Sequence, residues 1–322
     1  MQQKMTFSND SVNRAAQVFV DSCRSTGLVF KSLGLASLCI FSGVAAQGSE
    51  IVFTDSQAAV LRTGDGAPAV IASGTKLMQP FGIAVGQREF FVSDTGCLGI
   101  VGINRLTKEQ RLVSGGGSLG VPFGIALDQS GQIVVANGQA LLRVDPETGA
   151  PAKISPPGVA HPLFRVPLAV TVAANGDIYV ADALGPIFRV DPKTGEQTLI
   201  ASDGYLQRPQ GIAVDGNNIY VTDVATSDMN FGVGRIIRIN ADTSEQSILS
   251  EGNYLVGPVG VTLEQSGHLI VGDPYTINPA SADLFDGGII QVNKNTGVQK
   301  LVARGSGDFV NPRGVAVVPS GQ

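Results

Sequence analysis

Two segments of the chain collect oxygen-bearing side chains in a pattern that suits metal or ligand binding. They cover residues 224–235 and 274–288. Together with the residues just before them, they offer Asp223, Asp228, Asn230, Asp273, Tyr275, Asn278, Asp283 and Asp286. Carboxylate and amide oxygens are the ligands of a hard cation such as Ca²⁺, which takes about six to eight of them. Asp and Asn are equally common in solvated turns, where they cap their own backbone. The segments therefore predict either a site for Ca²⁺ or another divalent cation, or ordinary turns.

A second set of residues follows proline at equivalent points of the chain. The set consists of Phe81, Phe123, Leu168, Gln210, Val259 and Arg313. We predict that Phe81 and Phe123 lie side by side in an apolar pocket, with Gln210 and Arg313 as its polar groups. The alternative is that these side chains only fill a space at the centre of the fold.

Histidine and cysteine offer little for catalysis. The chain has two histidines: His161 lies in a long connection and joins the predicted ligand contacts, whereas His268 begins a strand-like run. Cys97 has no histidine or basic cluster near it in sequence, so we expect a semi-buried apolar side chain and not a nucleophile. No catalytic residue is assigned, and enzyme activity is left open. The predicted ligand-binding residues are Phe81, Phe123, His161, Gln210, Asp223, Asp273, Tyr275 and Arg313.

These residues are carried by a repeat. The phrase Pro-x-Gly-apolar-x-apolar begins at Pro80, Pro122, Pro209, Pro258 and Pro312, and a copy at Pro167 has alanine in place of the glycine. Successive copies lie 42, 45, 42, 49 and 54 residues apart. A period of roughly 40–45 residues of strand-like sequence is typical of the blades of a β-propeller.

Each repeat divides into four strand-like runs, named a to d here. In the unit at Pro167 the runs cover 170–172, 178–182, 187–190 and 197–201, with Gly, Pro, Asn and Asp between them. The last repeat has only run a, and its runs b to d are found near the other end of the chain, within 51–72. We therefore predict an all-β fold: a six-bladed β-propeller of four-stranded antiparallel blades, in which the N- and C-terminal strands close the last blade.

The b-to-c and d-to-a connections belong to one face of such a propeller, and they include the longest loops. Loops that vary on a rigid scaffold are where sites are usually built, so we expect this long-loop face to be functional. The ends of the b runs carry equivalent residues: Asp55, Asp94, Asn137, Asp182, Asp223 and Asp273. We expect these to accept hydrogen bonds from the backbone of the following loop, as an architectural feature of every blade.

Parts of the repeat carry a family resemblance. The stretches PQGIAVD at 209–215 and NIYVTD at 218–223 resemble the NHL repeat, and RVDPKTG at 189–195 is similar to a turn of the gluconolactonase/senescence-marker propellers. The resemblance covers 51–322 and implies a six-bladed propeller. It also implies a range of roles, which includes protein-binding, RNA-binding and sensor modules, lactonases and lyases. Gluconolactonase-like members hold a divalent metal partly through the residue before the strand-a glycine. That position here is never Asn or Glu, so the implied metal site does not carry over.

The first 46 residues differ from the repeat. Lys31 is followed by a largely apolar stretch at 32–44 and by the small residues of a cleavage site that ends at Ala46. This pattern predicts a signal peptide at 1–46, a propeller at 47–322 and a secreted or periplasmic protein. The apolar stretch is shorter than the roughly 20 residues of a membrane span, so we expect no stable span after cleavage. A disordered N terminus with an anchor helix is the alternative.

The net charge of the chain argues against one class of binding partner. It has 22 basic and 27 acidic residues, a net charge of −5. Nucleic-acid binding needs a basic surface that neutralises phosphates, so we expect no nucleic-acid partner. We predict a monomeric exported binding module for a small molecule or an extracellular protein. The alternatives are a metal-dependent hydrolase or lyase with a non-standard site, and a structural or sensor module.

Overall fold

The structure is a computed structural model that describes residues 49–64, 67–117, 119–154, 163–225, 233–277, 287–305 and 309–319. These ranges form 24 β-strands and contain no helix. The predicted signal peptide, His161 and most of the two long b-to-c loops lie outside the described residues.

The strands of the first half are β1 (Ile51–Asp55), β2 (Ala59–Thr63), β3 (Ala69–Ser73), β4 (Pro80–Val85), β5 (Glu89–Asp94), β6 (Gly99–Asn104), β7 (Gln110–Gly115), β8 (Pro122–Leu127), β9 (Ile133–Asn137), β10 (Ala140–Val144), β11 (Pro151–Lys153) and β12 (Pro167–Val172). Those of the second half are β13 (Ile178–Asp182), β14 (Ile187–Val190), β15 (Gln197–Ala201), β16 (Pro209–Asp215), β17 (Asn218–Ala225), β18 (Val233–Asn240), β19 (Gln246–Glu251), β20 (Val261–Leu263), β21 (His268–Asp273), β22 (Gly288–Asn293), β23 (Gln299–Arg304) and β24 (Pro312–Val317). They form six four-stranded sheets: β4–β7, β8–β11, β12–β15, β16–β19, β20–β23 and β24-β1-β2-β3. The predicted six-bladed propeller of antiparallel blades is confirmed.

The sixth blade joins the two ends of the repeat array. Strand β24 pairs antiparallel with β1, with Val317 opposite Ile51 and Val315 opposite Phe53. The innermost strands β4, β8, β12, β16, β20 and β24 contact one another in a closed ring. This pairing leaves no open strand edge at the junction, as the sequence predicted.

The hydrophobic core lies between the blades. Every residue of the b strands β1, β9 and β13 is buried, because a blade in the ring packs against a neighbour on each face. The buried apolar side chains of the described residues form six clusters, and each cluster joins two adjacent blades. The last of them joins the fifth blade to the closing blade through Phe53, Phe309 and Val315.

The repeated glycine lets neighbouring inner strands approach each other. A Cβ atom built on Gly211 would lie 2.2 Å from the carbonyl oxygen of Val259, and one built on Gly314 would lie 2.5 Å from the carbonyl oxygen of Phe81. Both contacts are too short for any side chain, so the packing of the ring requires glycine at these places. Hydroxyl groups of the b strands then link the blades: Thr222 Oγ1 donates to the Val259 carbonyl at 2.7 Å.

One predicted loop is partly strand. Residues 224–235 were expected to form a long b-to-c connection, but β17 extends to Ala225 and β18 begins at Val233. Asp223 lies opposite Arg235 in this extended ladder. Two of the guanidinium nitrogens donate to the Asp223 carboxylate at 2.9 and 3.0 Å. This buried cross-strand ion pair favours the longer hairpin, and residues 226–232 lie outside the described residues.

Candidate functional site

A cleft opens at the channel mouth on the long-loop face, and we call it the mouth cleft. Its volume is about 490 Å³. It is lined by Phe81, Arg208, Gln210, Val224, Val256, Gly257, Val259, Pro274, Tyr275, Asn311 and Arg313. These residues come from the blades of β16, β20 and β24 and from the start of β4. None comes from the described part of the β8–β11 blade, so the cleft is asymmetric about the channel axis.

The channel below the cleft is nearly filled. Its free space is about 60 Å³, and it is lined mainly by apolar side chains and glycines of the inner strands, among them Leu168, Ile212 and Val261. Ligand pockets usually measure about 300–1,000 Å³, so this space is too small for such a ligand. Phe81, Gln210 and Val259, which follow prolines, line both the channel and the mouth cleft.

An aromatic corner forms one side of the cleft. The rings of Phe81 and Phe123 meet edge to face, with centroids 5.5 Å apart and an interplanar angle of 73°. They lie side by side, as the sequence predicted for neighbouring blades. The Arg313 guanidinium lies over the Phe81 ring, with Cζ 5.8 Å from its centroid. Such a contact restricts the arginine side chain and leaves most of its N–H groups available.

Tyr275 forms the opposite edge of the cleft, where its side chain is 43% exposed. Its ring rests on the backbone of Gly257, since a Cβ atom built on Gly257 would lie 2.6 Å from Cδ2 of the tyrosine. The backbone N–H of Tyr275 donates to Asp273 Oδ1 at 2.8 Å. The glycine and the carboxylate together fix where the phenol ring stands.

The aspartates at the ends of the b strands hold the cleft from below. Each of five carboxylates accepts two successive backbone N–H groups from the d-to-a connection at 2.7 to 3.1 Å; the five are Asp55, Asp94, Asp182, Asp223 and Asp273. Four of these, Asp55, Asp94, Asp182 and Asp273, also accept a backbone N–H group from the loop after strand b, whereas Asp223 pairs there with Arg235. All five are essentially buried. The predicted bonds to the following loop are thus confirmed for Asp55, Asp94, Asp182 and Asp273, and the five carboxylates also bind the preceding connection, which the sequence did not predict.

Asp223 and Asp273 were also predicted to contact a ligand. Asp223 accepts hydrogen bonds from the N–H groups of Gln207 and Arg208 and pairs with Arg235. Asp273 accepts those of Val256, Gly257 and Tyr275. Neither side chain has exposed surface, so both act on the cleft through the backbone that they hold.

The ionisation of Asp273 differs from that of an ordinary surface aspartate. Burial raises its pKa to about 6, and the backbone N–H groups of Val256, Tyr275 and Gly257 lower it in part. Asp223 has an arginine beside it, whereas the hydrogen bonds to Asp273 come from backbone groups alone. The carboxylate that holds Gly257 and Tyr275 in place therefore titrates close to neutral pH.

Two arginines give the mouth cleft a positive charge. The Arg208 side chain is exposed and that of Arg313 half-buried. Within the described ranges neither guanidinium has a carboxylate at ion-pair distance, whereas those of Arg62, Arg111, Arg143 and Arg235 do. Arg313 Nε donates to Asn311 Oδ1 over 3.4 Å, a long hydrogen bond. The cleft thus combines available cationic donors with an aromatic and aliphatic wall.

The structure brings several of the sequence-predicted residues together. Phe81, Gln210, Tyr275 and Arg313 line the mouth cleft, and Phe123 contacts Phe81 beside it. His161 lies outside the described residues. The predicted ligand-binding residues did not include Arg208, Gly257 and Asn311, which directly precede the prolines of their repeats. That position mirrors the one after the proline, and the repeat alone would have revealed it.

The described residues add no cluster for a metal ion, and Cys97 is not suited to act as a nucleophile. They contain no cluster of three or more His, Cys, Asp or Glu side chains placed to hold a metal ion. The Ca²⁺ prediction thus depends on the acidic residues of the two loops outside the described ranges. Cys97 is half-buried, as expected, and burial together with the charge of Asp94 raises the pKa of its thiol to about 11. It stays protonated at neutral pH and is a poor nucleophile.

Comparison with known proteins supports the fold and leaves the family open. No family model matches the chain, and no curated protein matches it. A chain in the crystal structure of a nidogen/laminin complex is similar to it, with a TM-score of 0.68 at 15% sequence identity. The match covers 85% of this chain and 99% of that one. The described residues contain no helix long and apolar enough to cross a membrane. By its fold, then, the chain is a six-bladed β-propeller.

Proposed function

We propose that the chain is a protein-binding propeller whose partner docks on the long-loop face, over the mouth cleft. The observation that carries this proposal is where exposed apolar side chains lie. Of the 15 large apolar residues that are exposed in the described ranges, nine lie on the b-to-c and d-to-a side: Met78, Leu98, Val121, Leu163, Leu184, Tyr205, Val233, Tyr275 and Val310. Only Leu106 and Val298 lie in the turns of the opposite face.

These nine residues come from all six blades and so lie around the channel axis, and we call them the apolar ring. Exposed apolar side chains that lie on one face are stronger evidence of an interaction surface than the same number scattered singly over the protein. A small molecule bound in the mouth cleft would leave the apolar ring exposed to solvent. A protein surface that covers the face would bury the ring and the cleft together, with aromatic and arginine side chains at its centre.

The similar propeller belongs to a structure described as a complex of nidogen with laminin. This neighbour supports a protein-binding role for a propeller of this shape. The NHL-like resemblance and the predicted signal peptide extend the proposal to an exported module whose partner is extracellular or periplasmic.

Chemical crosslinking in an extract of the source organism tests the proposal with two matched double variants. Leu184→Glu with Met78→Glu places charges in the apolar ring outside the lining of the cleft, whereas Leu106→Glu with Val298→Glu places them on the opposite face. All four side chains are exposed, at 58% to 91%, so both variants should keep the melting temperature of the wild type.

We expect the wild type and the opposite-face variant to crosslink to the same protein, and the ring variant to lose it. Loss of the product from the opposite-face variant alone would place the partner on the wrong side and overturn the proposal. An unchanged product from the ring variant would do the same.

A further inference from the structure

Resting on that proposed function, we propose that the mouth cleft binds the carboxylate of an Asp or Glu side chain that the partner presents, and that Arg208 and Arg313 are the residues that recognise it. The proposal concerns the chemistry of the partner at the centre of the face. The apolar ring concerns only its docking.

The charge of the cleft reverses that of the chain. The chain carries a net charge of −5, yet the described residues that line the mouth cleft include two arginines and no carboxylate. Its other polar side chains are the amides of Gln210 and Asn311 and the phenol of Tyr275. Guanidinium groups present donors in a planar fork that matches a carboxylate. An anion is therefore the complement of this lining, and a cation is not.

Both arginines are held from their backbones. The N–H of Arg208 donates to Asp223 at 2.8 Å, and its carbonyl accepts the Val224 N–H at 3.3 Å. The Arg313 carbonyl accepts the Gly260 N–H at 2.9 Å, and its guanidinium lies over the Phe81 ring. A recognition group held in this way loses less freedom when it binds.

The shape of the cleft favours a side chain over a free ion. Beside the arginines stand apolar surfaces of Val224, Val256, Val259 and Pro274, which would contact the methylene groups of an aspartate or glutamate. The cleft lies at the channel mouth, on a face that also carries the apolar ring. A side chain that projects from the partner's surface would therefore reach the cleft when the two surfaces dock.

Capped tripeptides test the inference on the full propeller. The probe is Ac-Phe-Glu-Leu-NH₂, compared with forms that carry Gln, Lys or phosphoserine in the middle, and with Ac-Phe-Gln-Leu-OH, whose only carboxylate is its C terminus. Binding is measured by isothermal titration up to about 10 mM peptide, a range that detects millimolar dissociation constants. The proteins are the wild type, Arg208→Gln, Arg313→Gln and, as the matched control, Arg88→Gln. Arg88 is exposed in a turn on the opposite face.

We expect the Glu peptide to bind at least about tenfold more tightly than the Gln and Lys peptides, and to weaken with added salt. Each of Arg208→Gln and Arg313→Gln should weaken it about tenfold, and Arg88→Gln should leave it unchanged. The double variant Arg208→Glu with Arg313→Glu should prefer the Lys peptide. Melting temperatures equal to that of the wild type would show that the variants fold.

Several results would overturn the inference. They are equal binding of the Glu, Gln and Lys peptides, no binding of any of them, and an equal loss in Arg88→Gln. Tightest binding of the C-terminal carboxylate would assign the cleft to a chain end, and much tighter binding of phosphoserine would assign it to phosphate. If the peptides fail while the ring variant still loses its crosslinked protein, only the carboxylate assignment falls. If the crosslinked protein is unaffected, the proposed function falls first.

Discussion

Removal of the Phe309 ring should weaken the closure of the propeller. The side chain is 2% exposed and lies in the cluster that joins the fifth blade to the closing blade. Its ring meets that of Phe53 edge to face at 4.9 Å. Phe309 directly precedes the backbone N–H groups of Val310 and Asn311, which donate to the Asp55 carboxylate at 3.0 and 2.9 Å. The residue therefore packs at the junction of the two ends of the array.

Replacement of a buried phenylalanine by alanine costs about 3–5 kcal/mol of unfolding free energy. The folded state loses the favourable transfer of the ring out of water, and it keeps a cavity where the ring was. We expect Phe309→Ala to lose about that much free energy of unfolding. The neighbouring Val310→Ala is the matched control, since Val310 is 37% exposed and such substitutions usually change stability by less than about 0.5 kcal/mol.

Equilibrium unfolding in urea measures both values, with the slope of the transition reporting whether unfolding stays cooperative. A loss below about 1 kcal/mol for Phe309→Ala would refute the reasoning that the closing interface contributes to the stability of the whole ring. Deletion of residues 310–322 is the stronger test. It removes β24 and exposes the edge of β1, so a truncated chain that melts like the full one would also refute the arrangement.

Four further predictions follow from the same structure. Gly211→Ala should destabilise the chain by several kcal/mol in urea unfolding, because its Cβ would lie 2.2 Å from a backbone oxygen of the next blade. The control is Gly216→Ala, which lies in an open turn and should cost only about 1–2 kcal/mol, because its φ is positive at 56°. Burial raises the pKa of Asp273 to about 6, so the stabilisation that its protonation brings is complete below about pH 4 and is lost as the pH rises through 6. Relative to Asp273→Asn, the wild type should therefore gain about 2 kcal/mol of unfolding free energy when the pH is lowered from 7 to 4, and a constant difference between the two proteins would count against the shifted pKa. A reporter fused to residues 1–50 should be exported and cut near Ala46, and an uncut reporter that stays in the cytoplasm would contradict the signal peptide. Added Ca²⁺ should raise the melting temperature if the acidic loops hold it, and an unchanged melting curve at millimolar Ca²⁺ would remove that prediction.

The mouth cleft is built from the proline positions of three repeats. The residues on either side of the prolines at 209, 258 and 312 line it, and the aspartates at the ends of the b strands hold those residues in place. The Asp273 carboxylate is buried, but it accepts hydrogen bonds from the backbone N–H groups of Gly257 and Tyr275. A substitution at Asp273 would therefore shift these two residues of the cleft. We expect such substitutions to change binding through the position of the phenol ring.

The repeat made most of the fold predictable. A strand is specified by a short local pattern, and the pattern recurs here with enough regularity that the blade number, the strand order and the pairing of 51–55 with the last strand could all be predicted. The role of the b-strand aspartates could be predicted for the same reason, because a residue that recurs in every blade serves the blade. The pairing of Phe81 with Phe123 was also predictable, since equivalent positions of neighbouring blades meet at the ring axis.

The sequence by itself determined the propeller, its closure and the face on which the long loops stand. Only the tertiary structure decided that Asp223 and Asp273 turn inward to backbone N–H groups while Arg208 and Arg313 remain available at the surface. The sequence shows only that aspartate and arginine carry charged groups. Whether such a group bonds within the protein or stays available to a ligand depends on which groups lie within hydrogen-bond distance. Those neighbours come from residues up to 256 positions apart, as in the bond between Asn311 and Asp55, and no local pattern specifies them.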